Sequence, residues 1–133
     1  MTLEQQVCSF ELAKKLKELG VKQESLFYWH ETARLDGVHV LNQKYSDDKF
    51  CFSAFSVAEL GEMLPECYFT QHRLNAEWEC YQNFTKIIEG TKPLQKEYPE
   101  NHVSMFASTE ADARAKMLIY LIENNLITRA KEV

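Results

Sequence analysis

The residues best placed to do chemistry fall in one predicted hairpin. Cys67 to Leu74 and Glu77 to Phe84 are rich in aromatic and β-forming residues and read as two strands joined across Asn75-Ala76. A two-residue turn there sets His72 opposite Glu79 and Thr70 opposite Tyr81 on one face, with Arg73 opposite Trp78 on the other. A histidine beside a carboxylate can work as a general base, or as a metal ligand oriented by its neighbour. His72, Glu79 and Tyr81 are therefore the catalytic candidates. The plainer reading is a solvated cross-strand ion pair beside aromatic packing. It outweighs the catalytic one, because such pairs are common in sheets and this one names no nucleophile.

Other chemistries find less support. His30, His39, His72 and His102 show no two-histidine helical spacing and no Cys-x-x-Cys partner, so no metal is expected. The cysteines Cys8, Cys51, Cys67 and Cys80 stand far apart and sit in no glycine-flanked elbow, which makes them ordinary buried thiols rather than nucleophiles. Gly20, Gly37, Gly61 and Gly90 are scattered singly, so no loop cradles a phosphate and no nucleotide cofactor is expected. The stretch Glu11 to Val21 followed by Ser25 to Trp29 has the sound of a helix-turn-helix. Its spacing fails: Ala13 is followed by glycine only at Gly20, with Lys17 where the turn should fall.

Aromatic residues are a better route to function. Strand alternation from Leu26 to Glu31 places Phe27 and Trp29 on one face and Leu26, Tyr28 and His30 on the other, so both faces need cover. Trp29 and Trp78 read first as core residues. Otherwise they are the binding candidates, since a tryptophan at a sheet surface anchors an interface over a large area at modest entropic cost. Homodimerisation through sheet edges is the simplest form of such an interface.

The elements that must position these residues have clear start and stop signals. Thr2 with Gln5 forms a capping box for a short opening turn, Ser9 caps the next helix, and Gly20 ends it. Leu12, Leu16 and Leu19 share a face that Leu3, Val7 and Phe10 do not, which predicts a bend near Ser9. Asp36-Gly37 marks a hairpin returning through Val38 to Leu41. After a loop at Asp47-Asp48, Phe50 to Phe55 reads as a strand. Ser56 with Glu59 forms a capping box and Phe55 with Leu60 a hydrophobic staple for a short helix that Pro65 stops. Glu89 to Glu100 reads as an irregular loop, His102 to Ala107 as a last strand, and Ser108 or Thr109 as the cap of a long helix from Glu110. That helix has a wide apolar arc built on Ala111, Ala115, Leu118 and Ile122 with Met117, Ile119 and Leu121 at its flanks. Asp112, Lys116, Tyr120 and Glu123 lie opposite. An arc so wide predicts packing on a sheet along its centre and on other elements at its sides.

Composition narrows the class. The 133 residues are 45% hydrophobic and 12% aromatic, which suits one folded domain and argues against disorder. A formal net charge of -5 argues against a phosphate-backbone partner. The nearest basic strip, Lys14, Lys15 and Lys17, has Glu11 and Glu18 at helical spacing. No apolar run approaches the roughly 18 to 20 residues that span a bilayer, so no membrane partner is expected. Unpaired cysteine spacing and an N-terminus without an export signal point to the cytoplasm.

Three stretches carry a resemblance: Ser9 to Trp29, Ser53 to Pro65 and Glu110 to Ile127. They resemble small uncharacterised proteins of bacterial phage and prophage-like gene sets, over about half of the chain. The resemblance implies a bacterial cytoplasmic setting and a phage-related role. It brings no activity, cofactor or catalytic residue.

These readings predict a single α+β domain over residues 1–133, with an antiparallel sheet of about five or six strands packed by the long C-terminal helix and two shorter helices. The expected function is that of a non-enzymatic accessory or protein-interaction protein of phage-like origin, binding a protein partner or a second copy. A small enzyme centred on His72, Glu79 and Tyr81 is the competing reading, and a nucleic-acid-binding protein the third.

Overall fold

The chain begins with a four-residue helix, α1 (Leu3–Gln6), whose Gln5 side chain accepts a 2.9 Å hydrogen bond from the Thr2 amide. It cannot continue straight into the next helix, because their apolar faces differ. Val7 is extended instead and bridges Ser56, with the Cys8 amide donating to the Phe55 carbonyl at 2.9 Å. Ser9 is also extended and opens α2 (Phe10–Glu18), so the expected bend is present. Phe10, Ala13 and Leu16 are the buried residues of α2, and Leu12 and Leu19 flank them. The helix closes on Gly20 at φ 92, with the Gly20 amide bonded to the Lys17 carbonyl and Val21 to Leu16. This is a Schellman cap, in which glycine adopts the left-handed conformation without a Cβ penalty.

The computed structural model describes residues 2–31, 39–43, 50–65, 68–82 and 103–127. The Asp36-Gly37 turn, the Asp47-Asp48 loop, the Glu89 to Glu100 loop, Cys67 and His102 lie outside them. Six strands are described: β1 (Tyr28–Glu31), β2 (His39–Asn42), β3 (Cys51–Ser53), β4 (Tyr68–His72), β5 (Trp78–Gln82) and β6 (Met105–Ala107). They correct the expectation of one sheet of five or six strands. Among the described residues they form two antiparallel sheets of three, ordered β2-β1-β3 and β4-β5-β6. The reason lies just after β3. There the Phe55 carbonyl is taken by the Cys8 amide, and Ser56 immediately caps α3 (Val57–Met63), so the chain leaves the first sheet.

The α3 cap is the predicted one. Glu59 N–H donates to Ser56 Oγ at 3.2 Å, Ser56 N–H donates to Glu59 Oε1 at 2.9 Å, and Phe55 and Leu60 are both buried. Leu64, the residue before Pro65, is extended at φ -80 and ψ 150, as the proline ring requires.

The C-terminal helix α4 (Glu110–Glu123) is capped by Thr109, whose side chain accepts from the Asp112 amide at 3.2 Å. It buries Ala111, Ala113 and Ala115 in its first half and Met117, Leu118, Ile119, Leu121 and Ile122 in its second. It packs on all three strands of the second sheet and on α1, α2 and α3, while α2 also rests on β3. One cluster of buried side chains runs from Val7, Trp29 and Phe52 through α4 to Cys80 and Ala107. Each large aliphatic residue in it contributes about 1.5–3 kcal/mol by burial. Among the described residues, no helix is long and apolar enough to cross a membrane.

Candidate functional site

The β4-β5 hairpin decides what the predicted chemistry can be. Its turn is one residue longer than expected: the Arg73 amide donates to the Glu77 carbonyl at 2.7 Å and the Ala76 amide to the Arg73 carbonyl at 3.1 Å. Leu74, Asn75 and Ala76 form the connection, with Ala76 in the left-handed region at φ 69. This is the three-residue hairpin loop, a type I turn followed by a left-handed residue. It slips the register by one, and a slip of one moves every partner to the other face. His72 therefore pairs with Trp78 and Thr70 with Cys80, while Gln71 pairs with Glu79 and Phe69 with Tyr81. The expected pairing of His72 with Glu79 and of Thr70 with Tyr81 is corrected accordingly.

The three catalytic candidates are thus divided. Glu79 and Tyr81 share the outer face of the second sheet, and His72 lies on the inner one. His72 stacks on Trp78 with ring centroids 4.8 Å apart, at the exposed end of the surface that meets α4. Glu79 accepts from Gln71 Nε2 at 2.9 Å and from Arg73 Nη1 at 3.1 Å. A hydrogen bond from the Ser104 side chain, then that from Gln71, holds its carboxyl below the usual range, with Arg73 adding to the effect. Its cross-strand partner is Gln71 rather than His72, so the pair lacks the histidine an acid–base couple would need.

Trp29 is a core residue, which corrects its candidacy as a binding anchor. It is buried, and its indole N–H donates to the Cys8 carbonyl at 2.9 Å. Trp78 is half-buried and packs against the core margin. Phe69, Tyr81 and Phe106 share the outer face of the second sheet, Phe69 and Tyr81 half-buried and Phe106 exposed. Tyr81 lies 6.5 Å from Phe69 between ring centroids, and Phe106 pairs with Glu79 across β5 and β6. Phe106 is 42% exposed, and Leu74 stands fully exposed at the hairpin tip.

Sequence reasoning missed a polar cluster where α4, β4 and α3 meet. Arg114 Nη2 donates to Thr70 Oγ at 3.1 Å and to Glu110 Oε2 at 3.3 Å, and the Thr70 hydroxyl donates to the same Glu110 oxygen. Gly61 of α3 makes the space, since a Cβ there would stand 2.2 Å from Arg114 Nη1. The i,i+4 spacing of Glu110 and Arg114 was the available signal. Cys80 faces this cluster across from Thr70, and burial pushes its thiol up to about 12, so it stays protonated and a poor nucleophile. Burial does the same to Cys8.

At the other end of the core, Asp112 Oδ1 accepts from the Ser9 amide at 2.7 Å, tying α4 to the bend before α2. Burial raises the Asp112 carboxyl above its usual range, against the Ser9 hydrogen bond and Lys116, which lower it. Two lysines of the basic strip are also committed. Lys15 lies 3.1 Å from Glu123, and Lys17 Nζ donates to the Cys51 carbonyl at 2.8 Å while sitting over the Phe52 ring. Among the described residues, no three His, Cys, Asp or Glu side chains are grouped to hold a metal ion.

Compared with known proteins, no family model, curated protein or solved structure matches the chain.

Proposed function

We propose that this protein is a non-enzymatic accessory or interaction protein whose contact surface is the outer face of the β4-β5-β6 sheet. The observation that supports the reading is the gathering of Phe69, Tyr81 and Phe106 on one face, around a Glu79 carboxylate already satisfied by Gln71 and Arg73. Aromatic anchors with a satisfied polar centre suit association, because little desolvated charge is left unpaired. A protein partner or a second copy of the chain is the expected ligand. The phage-like role and bacterial cytoplasmic setting rest on the resemblance of Ser9 to Trp29, Ser53 to Pro65 and Glu110 to Ile127 alone. The competing enzyme reading loses its acid–base pair to the hairpin register, and a nucleic-acid role gains nothing from lysines engaged in the fold.

The test is a Tyr81→Ala, Phe106→Ala double variant, compared with the parent by sedimentation velocity and by capture from phage-carrying bacterial cells. The expected result is loss of self-association or of the captured protein, with an unchanged far-ultraviolet circular dichroism spectrum. A parent that is monomeric at high concentration and captures nothing, or a folded double variant that associates as the parent does, would overturn the proposal.

A further inference from the structure

We draw no further inference here: the strongest candidate, the outer sheet face carrying Phe69, Tyr81 and Phe106 with Leu74 at the hairpin tip, belongs to the surface already proposed for association, and nothing in the structure shows what covers it.

Discussion

Replacing Ala76 by glycine should stabilise this protein. Ala76 sits at φ 69, where a Cβ crowds the following carbonyl at a cost of about 1–2 kcal/mol. Glycine removes the crowding but has more freedom to lose on folding, which offsets roughly 0.5–1 kcal/mol of the gain. The methyl group is exposed, so its removal costs no packing. The difference is a stabilisation of about 0.5–1 kcal/mol, or about 2–5 °C in melting temperature for a domain of this size. Ala76→Val should go the other way by about 1 kcal/mol or more, because a β-branched side chain fits the left-handed region worst. Urea denaturation followed by circular dichroism reads both as shifts in midpoint at constant slope.

The same measurement tests the site. A two-residue Asn75-Ala76 turn restores the His72–Glu79 pairing, whereas the three-residue connection forbids it. In the observed register His72 and Trp78 follow the hydrogen-bonded Arg73 and Glu77, so they form a non-hydrogen-bonded pair with closely spaced Cα atoms. Nuclear Overhauser contacts between their Hα protons should accompany the stabilised glycine variant. A glycine variant no more stable than the parent, together with Hα contacts between Arg73 and Trp78, the non-hydrogen-bonded pair of the two-residue-turn register, would refute the observed register and return the enzyme reading to contention.

Three further perturbations follow. Ser56→Ala should cost about 0.5–2 kcal/mol by chemical denaturation, and Glu59→Ala at least as much, since Glu59 Oε2 also accepts from the Leu26 amide; a variant matching the parent would remove the box from the stability account. Asp112→Ala should cost about 1–3 kcal/mol by leaving the Ser9 amide unpaired, whereas Asp112→Asn keeps an acceptor. Because burial raises the folded carboxyl above the ordinary aspartate range, its ionised form is disfavoured in the folded state, and the parent should gain on the asparagine variant as pH falls toward that range; denaturation midpoints that diverge in the opposite sense would contradict this. Gly61→Ala should destabilise the parent, because the new Cβ displaces the Arg114 guanidinium, but in an Arg114→Ala background it should stabilise by up to about 1 kcal/mol through helix propensity. Equal effects in the two backgrounds would show that Gly61 is not held open for Arg114.

Local signals in this chain proved easier to read than pairings. The Ser56 and Glu59 box, the Gly20 cap, the Pro65 stop and the Thr109 cap each depend on a few adjacent residues, and each is present. The wide arc of α4 was equally plain, since its burial on a sheet and on helices follows from side chains at fixed angular spacing. The division into two sheets was not. It depends on the Phe55 carbonyl meeting the Cys8 amide, a contact between residues 47 positions apart that no periodicity records. The end of α4 shows the same limit at short range. Asn125 closes it at φ 57 in a Schellman cap, bonded to Ile122, with Leu126 bonded to Leu121; asparagine tolerates that conformation, but it announces a helix end less plainly than glycine.

The candidate site failed to be read for one physical reason, the residue at the left-handed position of the hairpin. Glycine there would have marked the three-residue loop, and alanine marks nothing. A second signal was nevertheless present in the strands. Sliding them by one residue pairs Phe69 with Tyr81, Gln71 with Glu79 and His72 with Trp78, so that at three of the five paired positions aromatic meets aromatic or amide meets carboxylate. Each matched pair contributes about 0.2–1 kcal/mol over an alanine pair. Three such pairs together are of the same order as the left-handed strain of roughly 1–2 kcal/mol at Ala76. The pairing energy of the strands can therefore impose the unfavourable turn, and the turn in turn keeps His72 and Glu79 on opposite faces. What separates an interaction surface from an acid–base pair in this hairpin is a balance of about that size, so a strand substitution such as Phe69→Ala should lower the stability of the register as well as remove an aromatic contact from the proposed surface.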